Sequence, residues 1–98
     1  MKNKNQEKFK NELVEIISKI AFDKVLLKEF LTDLFTPSEI GEISQRWQIV
    51  KRLAQKEKHR DIAEELGIGV GTVTRGSREL RNREGGFHLA LKKLKDRI

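Results

Sequence analysis

The chain has 98 residues, of which 37% are charged and 6% aromatic, with one proline and no cysteine. That size and composition fit one compact helical domain spanning 1–98 and exclude disulfides and thiolate metal sites. The net charge of +6 is unevenly spread, with residues 1–45 at −1, residues 46–83 at +5 and the last stretch at +2. A basic excess in one segment suits either a surface that meets phosphates or a solvated helical face.

No run approaches the ~20 apolar residues of a membrane span, and the opening residues are polar, without an apolar stretch of signal-peptide length. A cytoplasmic protein without membrane contact is expected. His59 and His88 stand too far apart in sequence to found a zinc site, so no metal is expected. A domain this small buries a modest fraction of its surface, and dimerisation would add apolar burial.

In chain order, a Lys/Asn-rich start (1–5) reads as a frayed tail. Phe9, Leu13, Ile16, Ile17 and Ile20 then mark a first amphipathic helix. Asp23 is placed to cap a second helix carrying Leu26, Leu27, Phe30, Leu31, Leu34 and Phe35. That apolar stripe is broad, and either an intersubunit contact or packing on the other helices would cover it. Thr36-Pro37-Ser38-Glu39 is a helix start, with Thr36 and Glu39 forming a capping box and Pro37 at the first helical position. The third helix runs through Ile40, Ile43, Trp47, Val50 and Leu53 to about Lys56, with Trp47 read as core.

Two short helices over 58–66 and 70–80 follow, joined through Gly67-Ile68-Gly69. After a break at Gly85-Gly86, Phe87, Ala90, Leu91, Leu94 and Ile98 give a closing helix. The fold class is all-α with six helices.

Residues 59–78 have the pattern of a helix-turn-helix. Ile62 and Leu66 point the first short helix inward, and Ala63 lets the second approach it closely. Gly67 permits the positive φ of a tight exit, Ile68 plugs the corner, and Val73 anchors the second helix. A structural corner without a nucleic-acid role would carry the same pattern. The outward residues favour DNA: Gly69, Val70, Gly71, Thr72, Thr74, Arg75 and Arg78 lie at the start and along the second helix, where base edges are read. Lys58 and Arg60 open the first helix, where phosphates are met.

Thr36-Pro37, Gln45-Arg46, Ile49-Val50, 62–67 and above all Thr74-Arg75-Gly76-Ser77 resemble the Trp repressor family over about 26–80. The resemblance implies an intertwined homodimer that binds an operator in double-stranded DNA, with L-tryptophan as corepressor under each reading head. It places Arg46 and Arg75 on either side of the indole ring, Arg75 and Thr36 at the ligand carboxylate, and Gly76 where the ring needs room. Guanidinium planes suit both tasks, since they stack on aromatic faces and pair with carboxylates.

Two departures stand out. Glu79 occupies the position of a family serine near the ligand ammonium, where it would bind that group or else pair with Arg75 or Arg78. The turn before the helix-turn-helix is one residue shorter than the family's. Related proteins without an established ligand share both arginines and the pattern of Phe87, Ala90 and Leu91, and the arginines could equally pair with Glu39, Glu42 or Glu79.

Three functions remain: a tryptophan-responsive repressor, a related DNA-binding regulator with another ligand or none, and a helical interaction protein whose basic face only solubilises. An enzyme is not expected, because no cysteine nucleophile or histidine dyad is present and the carboxylates read as surface charges.

Overall fold

The computed structural model describes residues 3–97, with side chains over 5–95. The described residues form six helices and no strand: α1 (Asn3–Ile20), α2 (Lys24–Leu34), α3 (Pro37–Ala54), α4 (His59–Leu66), α5 (Val70–Glu79) and α6 (Gly86–Arg97). The all-α reading therefore holds. Asn3, Lys4 and Asn5 are helical rather than frayed, whereas Met1, Lys2 and the apolar position assigned to Ile98 lie outside the described residues. Among the described residues no helix is long and apolar enough to cross a membrane.

The chain divides into two compact units at the Ile40–Gly41 junction. In the first, α1 and α2 pack together. Asp23 caps α2 as its position predicts, its Oδ1 accepting from the Leu26 N–H at 3.1 Å. No residue of α2 is fully buried, and Phe22 and Val25 are 88% and 70% exposed.

The capping box at the start of α3 is reciprocal. Thr36 N–H donates to Glu39 Oε1 at 2.8 Å, and Glu39 N–H donates to Thr36 Oγ1 at 3.1 Å. The Thr36 backbone N–H first, and its hydroxyl second, hold the Glu39 carboxyl below the ordinary range. The far end of α3 falls at Ala54, two residues before the expected Lys56. Lys56 itself takes a left-handed φ of 65°, a conformation incompatible with continuing the helix.

The second unit is built around Ile49, Ile62, Ala63 and Val73, with Leu53, Leu66 and Ile68 packed against them. Val50 is also fully buried. Burying a side chain of this class contributes roughly 1.5–3 kcal/mol, so a core with so few fully buried members leaves a thin margin. Trp47 is only half-buried, in contrast to the core position read from the sequence.

Candidate nucleic-acid interface and ligand cleft

α4 and α5 form a closely packed pair. Gly67 ends α4 with φ 66°, and its N–H reaches back to the carbonyls of Ala63 and Glu64. An L-residue is strained in that conformation, so the glycine sets the tightness of the exit. Ile68 N–H donates to Ala63 O at 3.0 Å, which holds the corner closed. Ile62 and Val73 are completely buried and join the two helices from inside. Arg52 near the end of α3 bonds the Glu65 carboxylate and lies 3.8 Å from Glu57, tying α3 to α4.

The residues assigned to DNA are distributed over this pair. Lys58 is the exposed N-cap of α4, where its side chain makes no capping bond, and Arg60 is exposed in the first turn. α4 thus begins one residue later than expected, at His59, and α5 ends one earlier, at Glu79. Gly69 is the N-cap of α5, while Val70, Gly71, Thr74, Arg75 and Arg78 are exposed and Thr72 is half-buried. Helical spacing puts Gly71, Thr74, Arg75 and Arg78 on an outward strip, opposite the buried Val73. Glycine at 69 and 71 leaves the start of that strip low in side-chain bulk, with space around each Cβ position.

Alongside that strip, and sharing Arg75 with it, lies a cleft of about 410 Å³ lined by Glu42, Gln45, Arg46, Ile49, Thr72, Arg75, Gly76 and Glu79. Four of the five residues assigned to a ligand, Arg46, Arg75, Gly76 and Glu79, therefore meet at one site. Thr36, the fifth, is engaged in the cap of α3. Arg75 Nη2 donates to Thr72 Oγ1 at 3.2 Å, which orients its guanidinium. Among the described residues, neither Arg46 nor Arg75 forms an ion pair with Glu42 or Glu79. Two guanidiniums and two carboxylates thus face one cleft without neutralising each other, an arrangement suited to a small zwitterion.

Two features were missed from the sequence. Gly76 faces Ile49, and a Cβ at position 76 would stand 2.7 Å from Ile49 Cγ2, so this glycine is required by helix packing. Trp47 and Phe87 line a separate cleft of about 620 Å³ with Glu79, Asn82 and Ala90. The first needs a contact between helices that spacing along one helix cannot give. The second had a visible signal, Phe87 directly after the Gly85-Gly86 break.

Among the described residues the regular structure is all α-helix, and a family model described as Trp repressor protein matches residues 8–95. That match places it in the class of transcriptional repressors. The chain belongs to the Trp repressor family. It is similar to proteins called Trp operon repressor homolog. The one from Vibrio parahaemolyticus is 33% identical over 89% of this chain and 84% of its own length. The Haemophilus influenzae protein is 36% identical over 82% of this chain and 80% of its own. With the Vibrio cholerae protein identity is 43%, over 65% of this chain and 63% of that relative, under two thirds of its length. No solved structure matches the chain significantly.

Proposed function

We propose that the chain represses transcription by binding operator DNA as a homodimer through α4 and α5, with L-tryptophan as corepressor in the Arg46–Arg75 cleft. The observation that carries this reading is the α4–α5 pair, in a chain of the Trp repressor family: a closed left-handed corner at Gly67, a shared apolar core, and an exposed strip of Thr74, Arg75 and Arg78. Hydroxyls and guanidiniums at the start and outer face of a second short helix are the groups that meet base edges, while Lys58 and Arg60 meet phosphates.

The exposed apolar side chains of α1 and α2, Phe9, Val14, Val25 and Leu26 among them, support the dimer, since a second copy would cover them. In the cleft, Arg46 and Arg75 flank the indole ring, Arg75 also pairs with the ligand carboxylate and Glu79 takes the ammonium, with Gly76 in the cleft wall.

The unpaired Glu42 and Glu79 favour a second reading, in which DNA binding is kept and the corepressor is another zwitterion or is dispensed with. A cytoplasmic location follows from either. Selection of binding sites from a random duplex library tests the common part. A two-fold symmetric dimer recovers inverted half-sites about one helical turn apart, roughly 34 Å. Recovery of no enriched sequence would contradict operator recognition.

A further inference from the structure

His59 and Thr74 come together across the α4–α5 pair, with His59 Nδ1 3.4 Å from Thr74 Oγ1. Thr74 Oγ1 also donates to the Val70 carbonyl at 3.1 Å. A hydroxyl has one proton, so while Thr74 gives it to Val70 it can only accept from the ring. The arrangement is then a relay from His59 through Thr74 to the first turn of α5. Gly69 caps that turn without a side chain and Gly71 lies within it, so the Thr74 bond adds to the backbone bonds that Thr72 and Val73 N–H make to the Gly69 carbonyl. Protonation of the imidazole makes Nδ1 a donor in every case and closes the relay, whereas the neutral ring has a tautomer in which Nδ1 cannot donate.

The charges around the ring decide the direction of the response. On α4, Lys58 and Arg60 flank His59, while Asp61 lines an acidic groove with Glu57, Glu64 and Glu65. From α5, Thr74 makes the contact, Arg75 is bonded to Thr72, and Arg78 lies one turn beyond Thr74. From α3, Arg52 is engaged by Glu57 and Glu65. A positive charge on the ring would stand in sequence between those of Lys58 and Arg60. A phosphate backbone laid on the same surface favours it, so binding raises the affinity of His59 for a proton.

We propose that His59 is a proton-responsive element of the DNA interface, which on protonation fixes the start of α5 through Thr74 and adds one positive charge beside Lys58 and Arg60. This rests on the DNA-binding reading. By linkage, a group whose pKa is raised in the complex tightens the complex as pH falls through the ordinary histidine range near ~6.5, by up to about tenfold for each unit of rise.

The test measures affinity of the full chain for a random-sequence DNA duplex at about pH 7.5 and about pH 5.5, a window in which histidine titrates and ordinary carboxylates do not. Binding is expected to tighten by about threefold to tenfold at the lower pH, with the slope of log affinity against log salt steeper by up to about 0.9. His59→Gln should flatten the response, and His88→Gln, which changes the only other histidine, should retain it. NMR titration of the His59 ring in the unmutated protein, free and DNA-bound, gives a readout independent of any variant, and a higher pKa in the complex is expected. Affinity independent of pH, a full response in His59→Gln, or an unchanged ring pKa would overturn the proposal while leaving DNA binding intact. Absence of binding at both pH values would overturn the DNA-binding reading and this proposal together.

Discussion

Gly76 brings α5 directly against Ile49 of α3: a methyl group at position 76 would lie 2.7 Å from Ile49 Cγ2, inside any normal contact. Ile49 is only 3% exposed and has little room to withdraw. Gly76→Ala therefore sets two effects against each other. Alanine gains about 1 kcal/mol of helix propensity, while overpacking costs roughly 1–3 kcal/mol. We expect a net loss of stability on the order of 1 kcal/mol in urea denaturation. Leucine lacks the obstructing Cγ2 methyl, so Ile49→Leu should recover part of that loss in the double variant. A double-mutant cycle with no coupling between the two positions would contradict the contact.

The Thr36–Glu39 box makes a second prediction. Thr36→Ala removes the acceptor for the Glu39 N–H and should cost about 1 kcal/mol. Because the folded-state pKa of Glu39 is lowered, its ionised form contributes stability above the ordinary glutamate value of about 4.3. That contribution is lost as pH falls through the lower folded value. The melting temperature of the unmutated chain should exceed that of Glu39→Gln at neutral pH, and the gap should close in acid. A gap that is constant down to about pH 2.5 would contradict it.

These elements differ in how far the sequence revealed them. The Thr36–Glu39 cap, the Asp23 cap and the Gly67 exit were legible because each is decided within four residues, by side-chain reach or by backbone sterics. Ile62 and Ala63 on α4 and Val73 on α5 were legible because the apolar spacing marks the inner side of each short helix. Trp47 was misjudged because hydrophobicity on a helix does not say whether a neighbour covers it; here it walls a cleft with Phe87. The Gly76–Ile49 and His59–Thr74 contacts join residues 27 and 15 positions apart, and only the packing of one helix on another creates them.

In the ligand cleft, Arg46→Ala should weaken L-tryptophan binding by roughly twofold to thirtyfold, since a guanidinium over an aromatic face contributes about 0.5–2 kcal/mol. Arg46 lies outside the α4–α5 pair, so binding to random-sequence duplex should survive. Glu79→Ser removes the carboxylate assigned to the ammonium. It should narrow the preference for L-tryptophan over indole-3-propionate, which lacks the amino group. Calorimetric titration with both compounds checks this, and equal selectivity in the two proteins would remove Glu79 from the site.

Lys58 and Arg78 should fail in different ways. Lys58→Ala should weaken all duplexes alike and reduce the salt slope by about 1, as loss of a phosphate contact does. Arg78→Ala should cost about 1–3 kcal/mol on the selected site and relax base preference there. Competition assays between the selected and random duplexes separate the two patterns. Uniform weakening by Arg78→Ala would move it from the reading surface to the phosphate contacts.

The most direct measurement of the central claim is the affinity of the unmutated chain for its selected duplex, determined by fluorescence anisotropy with and without L-tryptophan at fixed salt. A corepressor must bind the DNA-competent arrangement more tightly than the free one, because equal affinity for both shifts nothing. Saturating L-tryptophan is expected to tighten operator binding at least tenfold. Specific binding that is indifferent to L-tryptophan would contradict its role as corepressor, and absence of specific binding under both conditions would contradict the repressor mechanism itself.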